Sequence, residues 1–150
     1  MPNHLPALWP MRYRIFQGFA RTGAPPPLTE LARDLAITET EALATLRELG
    51  RRHAVTLTDD GDAVLMANPF SAVPTPFRVH AGGVDYWANC AWDMLGVPAT
   101  LDADATIHAA WAVDDTPAEL RVEQGEVTGD DGIVHFLKPF RTWYDDIRDT

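Results

Sequence analysis

The run "LTELARDLAITETEALATLRELGRRHAVTLTDDGDAVLMA", residues 28–67, holds two helix patterns and a strand pair in close succession. In its first part, Leu31, Ala32 and Leu35 fall on one face at helical spacing, and Thr29 is placed to cap that helix. A second helix follows in "TETEALATLRELGRR". Thr38 and Glu41 fit the S/T-x-x-E capping box, Leu43, Leu46 and Leu49 supply its apolar stripe, and Gly50 marks its end. Residues 53–67 then alternate apolar and polar side chains around "DDGD". Asp60–Gly61 is a strong hairpin signal there, because those residue types accept the positive φ of a tight turn.

Working outward, "WPMRYRIFQGFART" (residues 9–22) reads as an amphipathic helix on Trp9, Tyr13, Phe16 and Phe19–Ala20, and "GAPPP" breaks it. Three helices and a β-ribbon give residues 1–67 a winged-helix-like outline. The cadence of short helix, turn and longer helix raises DNA binding. However, the second of these helices opens with Glu39 and Glu41 and has no Lys or Arg before Arg47. A groove-reading helix places basic groups near its first turns, so a packing lobe is the better reading.

Downstream, "NPFSAVPTP" (residues 68–76) is a proline-rich connector, and residues 77–150 form the second lobe. "FRVHA" reads as a strand and "GVDYWANCAWDML" as a helix, stopped by Gly96 and barred from resuming by Pro98. "ATIHAAWAV", "ELRVEQGEV" and "IVHFL" read as strands, with "DDTPAEL" and "TGDDG" as turns and "RTWYDDI" as a short closing helix. The fold class expected is α+β: a three-helix winged-helix-like lobe, then an α+β lobe with a mostly antiparallel sheet.

Composition narrows the function classes. The chain has 150 residues, 46% of them hydrophobic, and a formal charge of −10. Residues 1–76 carry seven Lys/Arg against eight Asp/Glu, and residues 77–150 five against fourteen. So acidic a second half repels phosphate backbones and anionic membranes, which argues against nucleic acid and membrane partners. No apolar run approaches the ~20 residues needed to span a bilayer. The opening "MPNHLPALWPMRYR" lacks a basic leader with a long apolar stretch, and a single cysteine forms no internal disulfide. Together these lead us to expect a cytoplasmic protein.

That one cysteine is Cys90, in "YWANCAWDML" (residues 86–95). On a helix over 84–95, Val84, Trp87, Ala88, Ala91 and Leu95 form the apolar stripe, while Tyr86, Cys90 and Asp93 occupy another flank. Cys90 and Asp93 would be i,i+3 neighbours with Cβ atoms roughly 5–6 Å apart. Free cysteine is often buried filler. Beside a carboxyl, it can instead form a thiolate that binds a soft electrophile while the acid delivers a proton.

"YWANCAWDMLGVPATL" resembles the stretch around the first catalytic cysteine of the organomercurial (alkylmercury) lyases, the MerB family. In that family an aromatic-rich helix carries Cys-x-x-Asp followed by an "LxxPALL"-like run. "FRVHAGGVDYW" is similar to the family's preceding strand, "ATIHAAWAVDDTPAELRVEQGEV" to its next hairpin, and "GIVHFLKPFRTWYDDI" to its closing strand and helix. The resemblance implies protonolysis of carbon–mercury bonds, with Cys90 as the nucleophile and mercury ligand and Asp93 as the proton donor. It implies no required cofactor, Hg(II) as product or ligand, a small organometal or other soft electrophile as substrate, and cellular thiols as acceptors of the metal. The chain departs from the family in its second thiol. "GDDGIVHFL" has Asp131 and Gly132 where the family's second catalytic cysteine is expected, and "HAAWAV" places Trp111 where another cysteine often lies.

Other constellations carry less. His135 faces opposite to Val134 and Phe136 on the expected strand and could lie near the thiol. His4, His53, His80 and His108 are scattered without zinc spacing. No Ser/His/Asp motif, phosphate loop or EF-hand pattern is present, and "DDGDA" and "GDDG" read as turns. Two further function classes remain beside the lyase: a divergent homologue with other thiol chemistry or binding alone, and a helix-turn-helix regulator that senses a ligand.

Overall fold

The computed structural model describes residues 6–145 and 147. His4 and Asp146, the latter inside the expected closing helix, lie outside the described residues.

Helix α1 (Leu8–Thr22) buries Leu8, Met11, Ile15 and Phe19. That stripe lies to one side of the one expected, for Trp9 and Tyr13 are 58% and 62% exposed. Leu8, Met11, Ile15 and Phe19 fill the i, i+3, i+7, i+11 positions that face the core, and Trp9 and Tyr13 lie off that face. Gly23 ends the helix in the left-handed region at φ 76°. A Cβ there would collide with the carbonyl oxygen of Asp85, so glycine lets the end of α1 approach the later strand.

Helix α2 (Leu28–Asp34) is flanked by Pro27 at its N-cap, so Thr29 sits inside the first turn and is not the cap. Three consecutive prolines already set an extended entry, and no side-chain cap is needed to stop the chain coiling earlier. Helix α3 (Glu39–Arg51) has the expected capping box. The Thr38 hydroxyl accepts from the Glu41 amide at 3.2 Å, and the Glu41 carboxylate accepts from the Thr38 amide at 2.9 Å. The carboxyl of Glu41 is held below its ordinary range by those bonds to Thr38. Ala42, Thr45, Leu46 and Leu49 are buried. The helix runs one residue past Gly50, to Arg51.

The strands are β1 (Thr56–Leu57), β2 (Val64–Ala67), β3 (Phe70–Ser71), β4 (Arg78–Ala81), β5 (Val84–Ala88), β6 (Ala105–Ala110), β7 (Pro117–Glu123) and β8 (Glu126–Gly129). They form one sheet in the order β1-β2-β3-β5-β4-β6-β7-β8, and every pairing is antiparallel. The protein is α+β with an antiparallel sheet, as the sequence led us to expect. The proline-rich stretch 68–76 contributes β3, which pairs with β2 on one side and β5 on the other. Phe70 on β3 stacks on Phe19 of α1, with centroids 5.3 Å apart, and leans on Tyr86 of β5 at 5.7 Å. One ring thus ties the helices to the sheet.

Several expectations for the second half are corrected, among them the stop at Gly96, which lies inside a helix. The helix expected over 84–95 is strand β5 followed by a turn, and α4 (Asp93–Leu101) begins only at Asp93. Val84–Ala88 is flanked by β3 and β4, and Gly82 and Gly83, both at positive φ, close a tight hairpin. Aromatic and β-branched residues suit a strand with a neighbour on each side, and that pairing overrides the helical spacing. Pro98 does not bar the helix, but lies buried inside α4 beside Val97. "ELRVEQGEV" is a hairpin and not one strand: Gln124 and Gly125, at φ 52° and 82°, turn β7 into β8.

"IVHFL" forms no strand. β8 is the last strand in the sheet order, and the chain leaves it after Gly129. Ile133 and Leu137 are 91% and 82% exposed. Alternation alone does not make a strand where no partner offers a ladder. A 3₁₀ helix spans Phe140–Asp145.

Candidate active site

The β5–α4 corner places the thiol. Ala88 is buried, and its carbonyl accepts from the Thr75 hydroxyl at 2.6 Å. The Asn89 amide then reaches the Pro69 carbonyl at 3.3 Å. These bonds fix the chain direction just before Cys90. After it, the Cys90 carbonyl accepts from the Met94 amide at 3.1 Å, which starts the coil of α4. Met94 and Val97 bury the inner face of that helix, against β4 and β5.

Cys90 therefore stands in the turn that leads from β5 into α4, half-buried, and not midway along a helix. Its thiol donates to Asp93 Oδ2, with Sγ and oxygen 3.5 Å apart. The expected neighbours are brought together, although by a turn. Tyr86 is not part of the group. It is buried on β5, and its hydroxyl donates to the Ala20 carbonyl at 2.8 Å.

Burial dominates the electrostatics of both groups. It raises the Cys90 thiol above its ordinary range. The Asp93 backbone amide counters this by donating to the sulfur, the Asp93 charge adds to the rise, and the Trp92 amide again lowers it. Two amides at a helix start are suited to a thiolate, since those donors have no partner within the helix. Burial also raises the Asp93 carboxyl, against hydrogen bonds from Cys90 and Asn89 that lower it. Burial thus disfavours the anionic form of both groups, and the hydrogen bond from the thiol offsets part of that cost at the carboxylate. The two titrate as a coupled pair.

The sequence reading missed several groups. The Asn89 side-chain amide donates to Asn68 Oδ1 at 2.9 Å, and Asn89 Oδ1 is buried without a hydrogen-bond partner. Trp92, 59% exposed, faces Phe136 at 6.4 Å between centroids, and Phe136 in turn meets Trp143 at 5.0 Å. The density of aromatics around the motif was the only signal for this cluster. The two positions where the resemblance leads us to expect further cysteines also meet: a Cβ on Gly132 would run into the ring of Trp111. An aromatic ring occupies that space.

His135 lies on the exposed segment that follows β8 and forms part of no strand. His80 contacts Asp85 at 3.0 Å, and His108 lies 3.8 Å from Glu119, both on the solvent face of the sheet. A groove of about 620 Å³ on that face is lined by His80, Thr106, Arg121 and Glu126 among others, and by neither Cys90 nor Asp93. Being shallow, polar and remote from the thiol, it is not the reactive site. Among the described residues, no three His, Cys, Asp or Glu side chains converge to hold a metal ion. None of the described helices is long and apolar enough to cross a membrane.

Comparison with known proteins places this geometry. The alkylmercury lyase family model, MerB, matches residues 70–150, which include the whole β5–α4 corner. Among solved structures, the mercury-bound form of MerB2 superposes with a TM-score of 0.63 at 26% sequence identity. That match covers 83% of this chain and 57% of the other, so the chain spans little more than half the length of that relative. No curated protein matches. The family model takes in more than half of the sequence, the superposed fold is shared, and the chain belongs to the alkylmercury lyase family.

Proposed function

We propose that the protein cleaves carbon–mercury bonds by protonolysis, with Cys90 as the attacking and metal-binding sulfur and Asp93 as the proton donor. The observation that carries this reading is the 3.5 Å approach of the Cys90 thiol to the Asp93 carboxyl at the turn into α4. The proton needed at carbon begins on the sulfur and already points at the acid.

The steps balance without a redox partner. Cys90 passes its proton to Asp93 and displaces a labile ligand from R–Hg–X, forming an S–Hg bond. Asp93 then protonates the carbon. The electron pair of the C–Hg bond becomes the C–H bond, and R–H leaves while mercury stays as Hg(II) on sulfur. The backbone amides of Trp92 and Asp93 partly offset the cost that burial sets on the thiolate, and burial of the carboxyl favours its taking up the proton that the sulfur gives. Mercury is substrate and product here, and no cofactor enters.

The chain has one cysteine. Hg(II) prefers at least two soft ligands, so a thiol from solution completes the coordination and removes the metal. Small cellular thiols are the natural acceptors, and a cytoplasmic setting fits that chemistry. The three N-terminal helices act as a packing lobe, with the hairpin that follows them joined to the sheet, and not as a DNA reader.

The test is release of hydrocarbon from an organomercurial in the presence of a monothiol. Release is expected from the native protein and should fall by about a thousandfold or more in Cys90→Ala. Release that persists in that variant would remove the mechanism. Stoichiometric capture without release would leave a binding protein.

A further inference from the structure

We propose that the outward face of α1 is a docking site for an acidic peptide segment of a partner protein, gripped by Arg14 and Arg21 and anchored on Trp9 and Tyr13. The inference goes beyond the lyase reading and stands or falls apart from it.

The charge of α1 sets it off from the rest of the chain. Each of the 22 Asp and Glu residues lies at position 30 or beyond, so α1 carries Arg12, Arg14 and Arg21 with no acid among them. Elsewhere arginines find carboxylates: Arg33, Arg51, Arg52, Arg78 and Arg121 each lie within 4.0 Å of one. Among the described residues, no arginine of α1 forms such a pair. Arg12 lies over the Phe16 ring, 4.4 Å from its centroid. That leaves Arg14 and Arg21, both exposed, as the uncompensated charges. In a chain of formal charge −10 this is a local reversal of sign, and it attracts anions.

The same face carries aromatic anchors. Trp9, Tyr13, Gln17 and Arg21 recur every fourth residue and form one ridge, turned away from the buried stripe of the helix. Trp9 and Tyr13 are both more than half exposed. Hydrogen bonds hold the ridge in place. Arg14 donates to Gln17 Oε1 at 3.1 Å, and Gln17 Nε2 donates to the Tyr13 hydroxyl at 3.0 Å. The Tyr13 hydroxyl keeps its own proton to donate, and Arg14 its remaining N–H groups. Side chains ordered beforehand lose less freedom on binding. Tryptophan, tyrosine and arginine are also the residues that dominate binding energy at protein interfaces.

Length and charge choose the occupant. The ridge from Trp9 to Arg21 runs about 18 Å at the helical rise, the reach of about five or six extended residues. Arg14 and Arg21 stand about 10 Å apart along the axis, so two carboxylates a few residues apart on one peptide can meet both. An apolar side chain beside them lies on Trp9 and Tyr13. A second copy of this chain fits worse. Two molecules of charge −10 repel each other, and contact between unlike surfaces does not close into a pair. A nucleic acid duplex or an anionic membrane is broad enough to meet the acidic residues 77–150 as well, whereas a short peptide touches the helix alone.

The probe is a short synthetic peptide of Glu, Leu and Ser, with a twin that has Gln in place of every Glu. Binding to the full chain is followed by amide chemical shifts. The acidic peptide should shift amides of α1 with a Kd of about 10–100 μM at low salt, and binding should fade near about 1 M salt. The Gln twin should bind about five- to tenfold more weakly. Arg14→Glu combined with Arg21→Glu should weaken binding about tenfold or more, and Trp9→Ala about fivefold. Arg33→Glu combined with Arg121→Glu changes the net charge equally and should leave the Kd within about twofold. If circular dichroism shows the first pair unfolded, Arg14→Gln with Arg21→Gln removes the charges more gently. Equal binding of the Gln twin, shifts centred outside α1, or equal losses in the two charge-reversal pairs would overturn the proposal. Tighter binding to duplex DNA or to phosphatidylserine vesicles would overturn it in favour of a phosphate surface. Self-association through α1, seen by sedimentation, would overturn it in favour of a second copy.

Discussion

The β5–α4 corner and the segment from residue 130 to 145 meet where Trp92 faces Phe136, yet they are held by opposite means. At the corner, Ala88 pairs with Phe70 of β3 and its amide donates to the Phe77 carbonyl, and Met94 and Val97 anchor α4. The later segment has no ladder and exposes Ile133, Leu137 and Phe140. The difference teaches a division of labour. The proposed reacting groups, Cys90 and Asp93, stand where a paired strand meets an anchored helix, and the surface beside them is held by ring contacts.

Stability gives the widest test of that contrast. Phe70 is buried and touches rings from α1 and β5, so Phe70→Ala should destabilise the fold by about 3–5 kcal/mol. Ile133 is 91% exposed, and Ile133→Ala should stay within about 0.5 kcal/mol of the native value in urea unfolding. Equal losses from the two substitutions would erase the distinction between the regions.

A second test separates the chemistry of the corner from its architecture. Asp93→Asn keeps the volume and the backbone amide that serves the sulfur, but removes the transferable proton. Hydrocarbon release should fall about a hundred- to a thousandfold, while capture of the mercurial by Cys90 continues. Loss of capture and release together would mean that Asp93 organises the corner and does not act on carbon. The same variant alters the pH dependence of stability. Because burial raises the native Asp93 carboxyl, its contribution is fully present below the ordinary carboxyl range and lost as pH rises through the raised native value. Melting temperature followed across that window should decline less in Asp93→Asn than in the native chain. Cys90 is also raised, but a thiol acts in the same direction only in the alkaline range.

What the sequence could and could not disclose follows the same division. The capping box at Thr38 and Glu41 and the hairpin at Asp60–Gly61 were legible, because each depends on residues a few positions apart. Cys90 and Asp93 were legible as neighbours for the same reason: spacing of three survives whether a helix or a turn supplies it. The helix expected over 84–95 failed because pairing with β3 and β4 is not visible within the window. The strand expected at "IVHFL" failed in the reverse sense, since alternation was present and a partner was not. Neither Asn68 with Asn89 nor the row from Trp92 to Trp143 could be paired from sequence, because folding alone brings those positions together.

The smallest effect concerns the missing second thiol, and it tests how far the ring-held region can be rebuilt. Gly132 stands where the family resemblance places a cysteine, but the ring of Trp111 leaves no room for a Cβ there. Gly132→Cys alone should therefore disturb the packing around Trp111 without adding a usable ligand. Combined with Trp111→Ala, the new side chain gains space, and its sulfur should join Cys90 on the product ion. Hg(II) retained against a competing monothiol should rise about tenfold in the double variant, the effect expected when one soft ligand from solution is replaced by one held in place. Release of the metal should slow accordingly, even if cleavage itself is unchanged. X-ray absorption would then report two protein sulfurs on mercury in the absence of added thiol. One protein sulfur in the double variant, with its fold intact, would mean that the Trp111–Gly132 contact lies outside the reach of the metal and that the chain works as a single-thiol site by its architecture.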